Sequence, residues 1–98
     1  MTFASFLDST EKDSVPPEEL SDALKSLWYA KAGEWEAAHD IAQEMPSKAG
    51  SHIHGLLHAI EGDFGNAGYW FARAGEPNIT KDEIDAEWER ISKSLLSE

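Results

Sequence analysis

Along this chain apolar residues return at every third or fourth position, and nowhere do they alternate as a half-buried strand requires. That period restricts the fold to packed helices, and Gly and Pro punctuate it. After Val15-Pro16-Pro17, the residues Leu20, Leu24, Leu27 and Trp28 mark a first helix that stops near Gly33. Trp35, Ala38, Ile41, Ala42 and Met45 share one face of a second, about Glu34 to Met45, which Pro46 ends. A third, roughly Ser51 to Glu61, turns Ile53, Leu56, Leu57 and Ile60 inward and stops at Gly62. A fourth begins with Asp63 as N-cap and carries Phe64, Ala67, Trp70, Phe71 and Ala74 to Gly75. Beyond the break at Gly75-Glu76-Pro77-Asn78, Thr80 and Glu83 have capping-box spacing. Ile84, Trp88, Ile91 and Leu95 then form the apolar stripe of a last amphipathic helix. The expectation is an all-α single domain over 1–98, built of antiparallel helix hairpins at 17–46 and 47–76 with a capping helix at 80–97, about five helices in all. Residues 1–14 read as a flexible arm, or as a short segment docked through Phe3, Phe6 and Leu7.

Ninety-eight residues suffice for one modest core, and ten aromatic residues, four of them Trp, argue against a disordered chain. The absence of Cys excludes a disulfide framework, a thiol nucleophile and thiolate metal sites. Nineteen acidic against eight basic residues, a formal charge of −11, argue against a nucleic-acid ligand, since phosphate contacts are made by Lys and Arg. No apolar run has the roughly eighteen residues that span a bilayer, and Met1 to Thr10 lacks a signal-peptide pattern. The expectation is a cytoplasmic protein with no membrane partner.

The chain also repeats itself. Gly33-Glu34-Trp35-Glu36-Ala37-Ala38 aligns with Gly62-Asp63-Phe64-Gly65-Asn66-Ala67, 29 residues later. Both segments have Gly, an acidic residue, an aromatic at +2 and Ala at +5, and a Pro follows each, at Pro46 and Pro77. With these marks, Leu20 to Pro77 resembles a pair of degenerate tetratricopeptide repeats. The spacing departs from the standard repeat of about 34 residues, and the Trp, Leu-Gly and Tyr marks of the first helix of each repeat are largely missing. The resemblance implies helix hairpins with a concave face for a peptide or protein partner, and a last helix covering the open apolar end. The string LHAIEGDFGNAGYWFARAG, residues 57–75, is also similar to a segment of a group of small uncharacterised bacterial proteins. That similarity implies a fold and carries over no catalytic residue.

Chemistry concentrates in the middle of the chain. Residues 47–75 hold two acidic and two basic residues, three of the four His and six of the seven Gly. His54, His58 and Glu61 fall at i, i+4 and i+7, one stripe beside the apolar face. Asp63 follows at the turn, and Arg73 can reach back from the next helix. Such a stripe suits a metal or acid–base cluster, yet it lacks the intervening Glu of a metalloprotease helix. The alternative, favoured here, is a polar seam that satisfies buried hydrogen bonds. Of the adjacent pair Tyr69 and Trp70, the apolar pattern turns Trp70 inward and leaves Tyr69 for a binding surface. Gly55, Gly65 and Gly68 read as contact points between the third and fourth helices, with Gly65 equally placed to belong to the N-terminal turn of the fourth. The acidic run Asp82 to Glu89 reads as a solvated face. No nucleophile–base context or phosphate loop is present, so no catalytic residue, metal or cofactor is assigned. The expected function is a protein-interaction module, taking a protein, a peptide or a second copy of the chain. The candidate polar and binding residues are His54, His58, Glu61, Asp63, Tyr69 and Arg73. The alternatives are a small metal-binding or enzymatic protein using the His54, His58 and Glu61 cluster, and an acidic mimic of nucleic acid.

Overall fold

Short polar side chains start most of the helices by accepting hydrogen bonds from the first-turn amides, which otherwise lack partners. Thr2 and Ser5 form a capping box at the head of α1 (Phe3–Lys12). Ser21 caps α2 (Asp22–Lys31), Ser47 caps α4 (Lys48–Ile60) and Asp63 caps α5 (Phe64–Ala74). Between them lies α3 (Trp35–Gln43). The amide of Thr80 donates to Glu83 Oε1 at 2.8 Å, and a 3₁₀ turn, Lys81–Glu83, leads directly into α6 (Ile84–Leu96). The computed structural model describes residues 1–97, and these are all-helical, with six α-helices and no strand. The helical period of the sequence predicts about five. The additional one is the N-terminal segment, whose Phe6 is fully buried against α6.

The tight turns place consecutive helices against each other. Gly33 and Gly62 adopt φ of +84° and +88°, the left-handed backbone that ends α2 and α4 and lets the chain reverse within three residues. α4 is central, touching α2, α3, α5 and α6. Its Ile53, Leu56 and Leu57 are fully buried with Leu27 and Trp28 of α2 and Phe71 of α5. Two close approaches set the spacing. Ser26 Oγ donates to the Ala38 carbonyl at 2.7 Å, joining α2 to α3. Gly55 lies so near α5 that a Cβ there would stand 3.2 Å from the Ala67 carbonyl oxygen and from the Phe71 ring. Gly68 lies against the Asn78 side chain rather than α4, and Gly65 sits in the first turn of α5 beside the capping Asp63 side chain, so of the three glycines Gly55 alone provides that helix contact.

Three of the four indole N–H groups tie distant elements. Trp28 donates to Ser9 Oγ at 3.0 Å, Trp35 to the Leu57 carbonyl at 2.7 Å and Trp88 to the Leu27 carbonyl at 2.8 Å. Trp88 is 4% exposed and stacks on Phe6, so α6 is part of the core. Two sequence expectations fail locally. Ile60 is exposed, because it sits on the last turn of α4 at the rim of a cleft beside Ile84. The run from Asp82 to Glu89 is not wholly solvated, because Glu87 turns under Arg90 and is buried. Among the described residues, no helix is long and apolar enough to cross a membrane.

Candidate functional site

The polar stripe of α4 packs between His39 of α3 and Trp70 of α5. His54 and His58 are both buried, at 7% and 8% exposure, although each is polar. His39 joins them from α3, with its Nε2 3.0 Å from His54 Nε2. One of these two nitrogens must carry a proton and the other accept it, so the pair is stable with at least one ring neutral. The His54 and His58 rings stack at 4.9 Å between centroids, and one ring nitrogen from each of the three imidazoles falls within 4.8 Å of the others.

Aromatic walls hold the rings in place. The Trp70 indole lies over His54 with centroids 3.9 Å apart and planes 11° from parallel. Trp35 stacks on His39 at 4.7 Å, and its hydrogen bond to Leu57 fixes its own plane on α4. His58 Nδ1 lies 2.7 Å from Glu61 Oε1, and Asp63 completes an acidic group around the same ring. Burial first, then the neighbouring His39 and His58, push the His54 imidazole down to about 4, so it is neutral at physiological pH.

The structure thus brings His54, His58, Glu61 and Asp63 together and places Arg73 elsewhere. Arg73 stands nearly three turns beyond Asp63 on α5, where Nη1 donates to the Tyr69 hydroxyl at 3.3 Å. Its guanidinium carbon lies 5.4 Å from the Trp70 ring centroid and 5.9 Å from that of Tyr69. Tyr69 is 56% exposed, while Trp70 is half-buried rather than inside the core, one face covered by His54. Trp70 therefore links the two groups. Beside it opens a groove of about 320 Å³ lined by Gln43, Met45, Ser47, Lys48, Ser51 and Arg73, among others.

Sequence reasoning missed His39 and a second polar cluster. His39 follows Trp35 at i+4, a spacing that puts both on one face of α3, but its meeting with His54 is a tertiary event. The second cluster joins α4 to α6. His52 Nε2 lies 2.6 Å from Glu87 Oε2, and Arg90 bonds Glu87 at 2.7 Å and Glu76 at 2.9 Å. Burial works to raise the Glu87 carboxyl, but hydrogen bonds from Arg90 and His52 outweigh it and hold the group below its ordinary value. The i, i+3 pairing of Glu87 with Arg90 was its only visible signal.

Comparison of the chain with protein-family models, with curated proteins and with solved structures finds no match.

Proposed function

We propose that the chain is a small protein-interaction module of tetratricopeptide-like build. In this reading α2 with α3 and α4 with α5 are its two hairpins, and α6 is the cap. Register supports the build. Ser26 and Gly55, the small residues at the two close approaches, stand 29 residues apart, as do their partners Ala38 and Ala67. Leu24, Leu27 and Trp28 recur at the same offset as Ile53, Leu56 and Leu57, and all six are buried.

The observation that carries the functional reading is the Tyr69–Trp70–Arg73 cluster at the lip of the groove. Tyr, Trp and Arg are the side chains that most often dominate binding energy at protein interfaces. Here they lie together, with Tyr69 and Trp70 edge to face at 5.2 Å, on an exposed helix face. Lys48 and Arg73 border the groove and are the only basic residues between 47 and 75, in a chain of net charge −11. A peptide segment of a partner carrying a carboxylate beside an apolar or aromatic anchor fits this chemistry.

Selection from a displayed random-peptide library tests the reading. The wild-type protein is expected to enrich acidic sequences with an apolar anchor, and the Tyr69→Ala/Arg73→Ala double variant to lose them. Enrichment that ignores the double substitution, or no enrichment at all, refutes this surface. Concentration-dependent sedimentation that the same substitutions abolish identifies a second copy of the chain as the occupant instead.

A further inference from the structure

We propose that His39, His54 and His58 bind one divalent first-row transition-metal ion of the zinc type, with Glu61 orienting His58 from behind. A three-histidine site sets strict requirements on the spacing of its donors. Zinc–nitrogen bonds of about 2.0–2.1 Å in tetrahedral geometry place ligand nitrogens about 3.4 Å apart. The His39 and His54 nitrogens stand 3.0 Å apart in a hydrogen bond that an ion would replace, and all three donors lie within 4.8 Å of one another, within reach of one ion after modest turns of the rings. His54 and His58 share one face of α4, and His39 comes from the adjoining α3. The sequence stripe offered two imidazoles, and the third ligand exists only in the folded chain.

A histidine that ligates a metal usually presents its other ring nitrogen to a carboxylate, which fixes the ring and raises its basicity. His58 has that arrangement: Glu61 takes Nδ1 at 2.7 Å and leaves Nε2 as the remaining donor. The other two rings are braced by Trp70 over His54 and Trp35 over His39, which leaves them small in-plane turns. Imidazole ligands suit zinc, nickel, copper and iron in preference to calcium or magnesium, which select oxygen. Three protein ligands leave a fourth position for water or a bound group.

The other histidine cluster is a poor competitor. Around His52, Glu76 and Glu87 the cation seat is taken by Arg90, whose Nη2 lies 2.9 Å from Glu76, 2.7 Å from Glu87 and 3.4 Å from His52. The metal site touches the interaction surface through Trp70, which lies over His54, but Zn²⁺ binding and peptide selection are read separately, so either proposal can fail without the other.

The test uses the full chain carrying no histidine tag, stripped with a chelator and then titrated with Zn²⁺ or Co²⁺. One equivalent is expected to bind. At a free Zn²⁺ concentration of about a hundred times the dissociation constant, the unfolding temperature should rise by roughly 10 °C or more. Co²⁺ should develop the intense visible bands of low coordination. His39→Gln, at a half-buried position, should lose the effect, whereas Glu61→Gln should weaken binding by roughly 10–100-fold. His52→Gln should leave it unchanged. Long-range imidazole nitrogen spectra of the wild-type protein give a readout that needs no variant: Zn²⁺ should shift the ring signals of His39, His54 and His58 and leave His52 in place. An unmoved unfolding temperature together with the pale spectrum of aqueous Co²⁺ overturns the proposal. So does binding that survives in His39→Gln and vanishes in His52→Gln, or ring shifts confined to His52.

Discussion

Trp88 and Leu27 are separated by 61 positions, yet the Trp88 indole donates a 2.8 Å hydrogen bond to the Leu27 carbonyl oxygen inside the core. The bond anchors α6 to α2, and the ring also fills the space beside Phe6 at 5.8 Å between centroids. Trp88→Ala removes both, and a cavity of this kind typically costs about 3–5 kcal/mol. Trp88→Phe keeps most of the packing and loses the hydrogen bond, worth about 1 kcal/mol. Urea denaturation of the two variants checks the order, and equal losses would show that packing contributes little at this position.

The His54 imidazole gives metal-free protein a defined pH response. Its folded value, about 4, lies below the ordinary 6.5, so as pH falls the unfolded chain takes up this proton first. The stability associated with His54 is complete above about pH 6.5 and declines to about pH 4, a loss on the order of 3 kcal/mol. The groups facing the ring are His39 from α3, His58 on its own helix and the neutral Trp70 of α5. Glu87 acts in a lower window, because its depressed carboxyl keeps its contribution above the ordinary value of 4.5 and loses it as pH falls through its folded value. Urea midpoints at pH 7 and pH 5 in the presence of chelator are expected to fall in the wild type and to fall less in His54→Gln. A flat wild-type profile would contradict the burial.

Two glycines should respond to alanine in opposite directions. In Gly55→Ala the new methyl meets the Ala67 carbonyl and the Phe71 ring at 3.2 Å, so α4 and α5 must separate slightly, at a cost of about 1–3 kcal/mol. In Gly65→Ala the nearest atom is Asp63 Oδ1 at 3.9 Å, an ordinary contact, and better helix propensity adds about 0.5–1 kcal/mol. Thermal unfolding of both variants measures the difference, and a destabilised Gly65→Ala would mean that α5 requires a bare backbone in its first turn.

Helix identity was legible because each element carries its own period and stop signals: Leu24, Leu27 and Trp28 before Gly33, or Thr80 and Glu83 before Ile84. The first helix was half legible, since Phe3, Phe6 and Leu7 are correctly spaced but nothing local shows that Phe6 meets Trp88. In the candidate site, only contacts along one helix or across one tight turn could be seen, which is why His54, His58, Glu61 and Asp63 emerged together. His39 comes from a neighbouring helix, and Glu87 is hidden in an acidic run where only its partner His52, 35 positions away, distinguishes it from its exposed neighbours. Long-range polar pairing leaves no period in a sequence.

Ser26 and Ser92 are both fully buried, but Ser26 Oγ donates to the Ala38 carbonyl at 2.7 Å, while Ser92 Oγ has no hydrogen-bond partner among the described residues. Burying a hydroxyl without a partner costs about 1–3 kcal/mol, and serine is also a weaker helix former than alanine in the interior of α6. Ser92→Ala removes the desolvated hydroxyl and leaves only a small void, so it should stabilise the protein by about 1 kcal/mol. In a domain of this size that raises the unfolding temperature by roughly 4–8 °C. Ser26→Ala should destabilise by about the same amount, because the α2–α3 tie is lost and nothing replaces it. Calorimetry on the two variants decides the matter. If Ser92→Ala lowers the unfolding temperature as Ser26→Ala does, the Ser92 hydroxyl has a partner in solution, and α6 sits differently on the core than described.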